Sequence, residues 1–546
     1  MIFALRIMKI LIHVRKIVMN KAFMILVSYA MCSLPSNFNL NDMHASKIVQ
    51  NHNDVGLPSN GIIDIGIADE NLMFFGTGGG LGKAVINGDN VLFSSLNSSD
   101  LPRGGNPALF VLDSIVVISG VVDTLVQGDY LSKGTGVSVS LDYGSTWNYF
   151  PQPIDSIPDE GKYLYTNWYN ETVQQLAVTV SINNISYDLS VNGDYIYSAS
   201  WAGGVRRIKF KNLSTSEQLT PQKWEIIPLP LDDSYELLCN SSLPSYYVLD
   251  PNDPSNGGSH NHKGFAVESH NDSIIWVGTA NGINKGIINQ NNCISWTHYT
   301  SETHNISGNW VVGFNIQRDI DRVWAITWST NSTEKNGVSY SDDFGESWTI
   351  PDHIKNLDLK IYNISTRNEK VYLSSDKGLY CSLDGQYWEK LSRPIEYKDG
   401  IMSEQILSES VYSAEEADQY LWVGTGDGLG RTENLGFEWD AYRFFEDPDD
   451  FYAYPNPFFT EFTNLVGDQG HVRFLCKSDV NPIKIVLFDS SMNVVNELDS
   501  FVDINDNKEI IWDGRNSLNK IVSNGVYFCN LIYENGNSWT KLVVIN

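Results

Sequence analysis

The sequence predicts an all-β fold, a seven-bladed β-propeller followed by a small β-sandwich. Three observations carry that expectation: a turn motif that recurs along the chain, a strand motif that recurs at blade-like intervals, and a break in both patterns near residue 448. Composition agrees. Aromatic residues make up 12% and glycine contributes 43 of 546 residues, a mixture that suits short strands and tight turns better than helix bundles.

The turn motif is Ser-x-Asp-x-Gly-x-[Ser/Thr]-Trp. It stands as "SLDYGSTW" (Ser140, Asp142, Gly144, Trp147) and "SDDFGESW" (Ser341, Asp343, Gly345, Trp348). "TENLGFEW" keeps the spacing with Thr432, Asn434, Gly436 and Trp439, and "SLDGQYW" (382–388) is one residue shorter. Short polar side chains bond the backbone of their own turn, Gly supplies a positive φ, and Trp covers a seam between sheets. The expected role is structural rather than catalytic, and a calcium loop of the EF-hand kind would need more carboxylates.

The strand motif reads "LMFFGTGGGLGKA" (72–84), "IIWVGTANGINKG" (274–286), "KVYLSSDKGLYCS" (370–382) and "YLWVGTGDGLGRT" (420–432). Looser copies place anchors at Gly76, Ser119, Ala199, Gly278, Ile326, Ser374 and Gly424, spaced 43, 80, 79, 48, 48 and 50 residues apart. Periods of about 40–50 residues built from strands indicate propeller blades. The two long intervals each leave room for one blade and an insertion. Trp276, Trp328 and Trp422 fall in these strands and are expected in the core.

The turn motif resembles the Asp-box, or bacterial neuraminidase repeat, of sialidase-like and sortilin-like propellers. The strand motif resembles the repeat of two-component-regulator propellers. Both resemblances imply the fold over roughly residues 50–447 and leave function open. Residues 448–546 read as strands, and "YPNPF" (454–458), "WDGRNSLNKIVSNGVYF" (512–528) and "KLVVIN" (541–546) resemble the FlgD-like immunoglobulin-fold module and the C-terminal sorting domain of type IX secretion cargo. That resemblance implies export, attachment at the outer-membrane surface and contact with the secretion apparatus. Residues 1–35 read as a signal peptide, with basic residues ahead of the apolar stretch 22–31, and no later stretch is long and apolar enough to span a bilayer.

A net charge of −28 argues against nucleic-acid binding. Five cysteines follow the signal: Cys239, Cys293, Cys381, Cys476 and Cys529. Cys239 with Cys293 is the favoured pair in an exported chain, against the equal reading of no bridge at all. A sialidase needs convergent arginines, and Arg206 and Arg207 face opposite ways on one strand. Other glycosidases need two carboxylates, which no spacing here singles out. Candidate ligand-binding residues are Tyr163, Tyr165, Trp168 and Tyr169 on an insertion; aromatics there stack on sugars, hold a protein partner, or pack down on the propeller. His260 and His262 form a His-x-His pair that could hold a metal, against the reading of a solvated loop, and "DPNDPSNGG" (250–258) could hold Ca2+ weakly. The expectation is therefore an exported propeller that binds a glycan or surface protein without cofactor or chemistry. The alternatives are an extracellular glycoside hydrolase with axial carboxylates and an accessory part of the type IX machinery.

Overall fold

The computed structural model describes residues 56–88, 90–156, 163–168, 171–213, 222–330, 336–398, 400–444, 451–461, 470–476, 481–504 and 507–546. The expected signal peptide and Tyr169 lie outside the described residues.

Among the described residues, seven antiparallel sheets of three to five strands follow one another along residues 62–442. Their first strands are Ile62–Asp69 (β1), Leu109–Leu112 (β2), Asp188–Asn192 (β3), Gly264–Asn271 (β4), Trp310–Gln317 (β5), Ile361–Arg367 (β6) and Val411–Ala417 (β7). Each packs beside the next, and β7 returns to β1, so the first strands surround a common axis. This is the architecture of a β-propeller. The last sheet meets the first through Phe75, Phe93 and Trp422, whose rings contact edge to face.

The seven anchor residues occupy one structural position. Gly76 pairs with Asp64, Ala199 with Asp188, Gly278 with Ala266, Ile326 with Gly313, Ser374 with Asn363 and Gly424 with Ser413, while the Ser119 amide bonds Ala108. In β1, β4, β5, β6 and β7 a register shift falls just before that pair. A bulge bends the strand there, which is how a sheet can twist sharply from the axis outward.

Both motifs have local physical causes. In the strand motif a hydroxyl closes the second hairpin: Thr77, Thr279, Ser375 and Thr425 donate to the carbonyls of Gly80, Gly282, Gly378 and Gly428. In the turn motif Ser341 Oγ donates to Asp343 Oδ1 and accepts from the Gly345 amide at 2.7 Å. Asp343 also accepts from the amide and hydroxyl of Ser347. Ser140 with Asp142, and Thr432 with Asn434, repeat the pattern. Phe344 and Gly345 both take positive φ, 55° and 92°. A side chain at Gly345 would meet Trp276 of the preceding sheet at 3.0 Å. Trp348 packs edge to face on that same Trp276, and Trp388 does so on Trp324.

Residues 451–546 form sheets of four and five strands enclosing a second core that includes Phe474, Ile485, Trp512, Tyr527 and Leu542. This module docks on the propeller through buried charge. Arg443, after the last propeller strand, binds Glu404 and Glu509, each at 2.7 Å; Arg473 of the sandwich binds Asp427 at 2.5 Å and also Glu509. All five side chains are buried. Burial would push Glu509 up, but the two guanidiniums outweigh it and hold its carboxyl below the usual range. At Glu404 burial wins and the carboxyl is raised.

Candidate functional site

The two long anchor intervals carry insertions, and these fold together. The hairpin Tyr163–Trp168/Glu171–Leu176 comes from the first interval, and Val248–Leu249 of the second adds to it in parallel, giving one three-stranded sheet on the propeller rim. Its core joins Trp168, Val173, Tyr247 and Leu249 to Tyr197, Val205 and Trp296 of the neighbouring sheets. Arg206 anchors this region: it is buried, bonds Asp155 at 2.7 Å, and Asp155 also accepts from Gln175 and the Thr179 amide.

Between the rim sheet and the propeller runs a groove of about 500 Å³. Tyr165, Thr166, Asn167 and Trp168 form one wall, and Glu225–Pro228 the other. Asn291–Ile294 close one part of it. Arg207 crosses the wall, its guanidinium 4.7 Å from the Tyr195 ring centre, 3.1 Å from Glu225 and 2.7 Å from the Asn292 carbonyl. The Asn291–Ile294 segment is pinned by the Cys239–Cys293 disulfide, so the expected pair is formed. Cys381, Cys476 and Cys529 are free and buried. Replacing both Cys239 and Cys293 by Ser should lower unfolding stability by about 2–4 kcal/mol, given the 54-residue separation. Denaturant unfolding of that double variant beside the wild type measures it; an unchanged midpoint would show that the bridge does not constrain the chain.

The candidate aromatics divide by strand alternation. Trp168 packs down, 5% exposed, with its N–H lacking an acceptor among the described residues, while Tyr163 and Tyr165 are 40% and 66% exposed. None of the recurring-turn residues lines this groove.

The expected metal pair, His260 and His262, has different neighbours at each ring. His262 is buried, its Nδ1 accepting from the Asp250 amide and its Nε2 facing the Leu229 carbonyl. His260 lies beside Asp253. Asp250 and Asp253 accept from the amides of Asn252 and Ser255 in their own loop, the local turn chemistry these residues favour. Among the described residues no group of three His, Cys, Asp or Glu side chains could hold a metal ion.

The inner strands hold a feature the motifs did not single out. Asp64, Asp188, Glu268 and Glu415 stand on β1, β3, β4 and β7. Asn363 on β6 donates to Asp64 at 3.2 Å although β7 separates their strands, which places both at the axis. Burial raises Asp64 and Glu268 to about 7 and Glu415 to about 8, and lifts Asp188 well above the carboxylate range. Neighbouring carboxyls add to the effect at Asp188 and Glu415, while Arg318 and Arg367 partly oppose it at Glu268 and Glu415.

No family model matches the chain, and no curated protein matches it. Among solved structures it is similar to PorZ, described as an essential surface component of the type IX secretion system of Porphyromonas gingivalis: 13% identity over 89% of this chain and 75% of that one, TM-score 0.32. The extracellular domain of a hybrid two-component system of B. thetaiotaomicron aligns at 11% identity and TM-score 0.39, covering 91% of this chain. The chain spans about half, 54%, of that structure's length. The WD40 propeller domain of Doa1 aligns at 12% identity over 71% of this chain and 95% of its own, TM-score 0.37. The fold class stands on the chain's own topology: sheets whose first strands close around an axis make this a β-propeller protein.

Proposed function

We propose that this chain is an exported, surface-associated binding protein, in which seven propeller blades present the rim groove to a glycan or protein ligand. In this reading the C-terminal sandwich serves export and attachment, and the recurring Ser/Asp/Gly/Trp turns are mortar between blades. The groove carries the argument. It offers aromatic, amide and hydroxyl groups, but the one carboxylate lining it among the described residues, Glu225, is engaged by Arg207, whereas glycoside hydrolysis needs two. The disulfide and the strongly acidic composition suit an oxidising, extracellular setting.

A second reading, a hydrolase working at the axis, is favoured by one observation. Carboxyls with pKa values near 7–8 are what a general acid requires at neutral pH. Glycan and protein arrays probed with the purified chain, run beside a polysaccharide hydrolysis screen, separate the two. Binding that falls at least tenfold in Tyr165→Ala, without turnover, is the expected result. Turnover that disappears in Asp64→Asn or Glu415→Gln would replace the binding reading.

A further inference from the structure

We infer that the rim groove takes an extended, uncharged polypeptide segment of a partner protein, which adds as a strand to the free edge of Tyr163–Trp168. This rests on the binding reading above and names the class of ligand.

Two strand edges border the groove. Among the described residues, Tyr163–Trp168 is the end strand of its sheet and pairs only with Glu171–Leu176. Across the groove, Glu225–Ile226 is the outermost strand of its propeller sheet and pairs only with Gly204–Lys209. An open edge presents a row of backbone donors and acceptors, which another extended backbone complements group for group. Trp168 and Glu171 face each other across a two-residue connection. The pair flanking such a connection is the hydrogen-bonded kind, so Tyr165 and Asn167 direct their N–H and C=O to the open side.

The sequence of this edge is as telling as its position. Exposed edges are ordinarily guarded by Lys, Pro or a bulge, and "YLYTNW" has none of these, with an uninterrupted register along the hairpin. Tyr163 and Tyr165, on one face and exposed, stand ready as cross-strand partners for side chains of an added strand. The charge of the occupant follows from the lining. In a chain of net charge −28, the charged groups lining the groove among the described residues are Arg207 and Glu225, which neutralise each other at 3.1 Å. A charged segment would gain no partner there.

The test pans a display library of short random peptides on the full-length chain. Enriched peptides are then synthesised with backbone amides N-methylated in one of two alternating registers. The expected result is enrichment of uncharged, strand-forming sequences. Methylation in the pairing register should weaken binding about tenfold per lost bond, an effect of roughly 1.4 kcal/mol, and the other register should bind as before. Tyr165→Pro in the full chain should abolish binding as well. Equal binding by both registers would overturn the inference. So would concentration-dependent dimerisation lost in Tyr165→Pro, which assigns the edge to a second copy. Glycan binding at Tyr165 without peptide binding would defeat this inference and leave the binding reading intact. Polysaccharide turnover with neither ligand bound would remove both.

Discussion

Replacing Arg473 by alanine is expected to destabilise the chain by about 3–5 kcal/mol, the usual cost of removing one partner from a buried ion network. Arg473 is wholly buried and neutralises Asp427 of the propeller and Glu509 of the sandwich, while also donating to the Gln405 carbonyl. Without it Glu509 retains Arg443, while Asp427 keeps the Leu407 amide but loses its bonded guanidinium. The loss should be felt in both halves, since the network joins them. Wild-type chain should melt in one transition by tryptophan fluorescence and circular dichroism, and Arg473→Ala in two. A triple replacement, Arg473→Met with Asp427→Asn and Glu509→Gln, should recover part of the loss, because it removes the stranded charges. A change below about 1 kcal/mol in the single variant would show that the interface is held by other contacts.

The second large effect is the dependence of stability on pH. Burial holds the pKa values of Asp64, Glu268 and Glu415 at about 7, 7 and 8 in the folded chain, and lifts Asp188 well above the carboxylate range. Unfolded carboxyls ionise near 4, so between about pH 4.5 and 8 the folded chain holds the extra protons. Stability therefore falls as pH rises through this window, by about 1.4 kcal/mol for each unit of difference at each group. The groups facing these carboxyls are Asn363, Arg318 and Arg367, with the amides of Ile65, Leu189 and Val267. Histidines act in the opposite sense. Burial depresses His260, His262 and His270, so below about pH 6.5 the unfolded chain gains protons at these sites, which offsets part of the carboxyls' contribution. The maximum should lie toward the acid end of this window, and the melting temperature at pH 6.5 should exceed that at pH 8.5 by several degrees. Asp64→Asn and Glu415→Gln should each flatten the alkaline side. A melting temperature that climbs from pH 6.5 to 8.5 would contradict the axial assignment.

Local chemistry was legible in the sequence because its causes are local. The Ser341–Asp343–Gly345 turn and the Thr279–Gly282 closure are hydrogen-bonded within a few residues, so spacing alone announced them and, by repetition, the blade register. Alternation likewise separated Arg206 from Arg207. Cys239 and Cys293 were read as a pair from compartment rather than geometry, and the fold brings them together.

What tertiary structure alone decided involves residues far apart in the chain. His262 read as half of a metal pair or as part of a solvated loop, and the fold buries it against the Leu229 carbonyl and the Asp250 amide. Four carboxyls separated by up to 351 positions, Asp64 to Glu415, converge because closure of the ring sets first strands around one axis. Arg473 could not be matched to Asp427 before the sandwich docked, nor Tyr165 to Glu225 before two insertions shared a sheet. Short-range hydrogen bonding writes its requirements into neighbouring residues. Burial and long-range charge do not, since the energy of each group depends on which distant surface the completed fold lays against it.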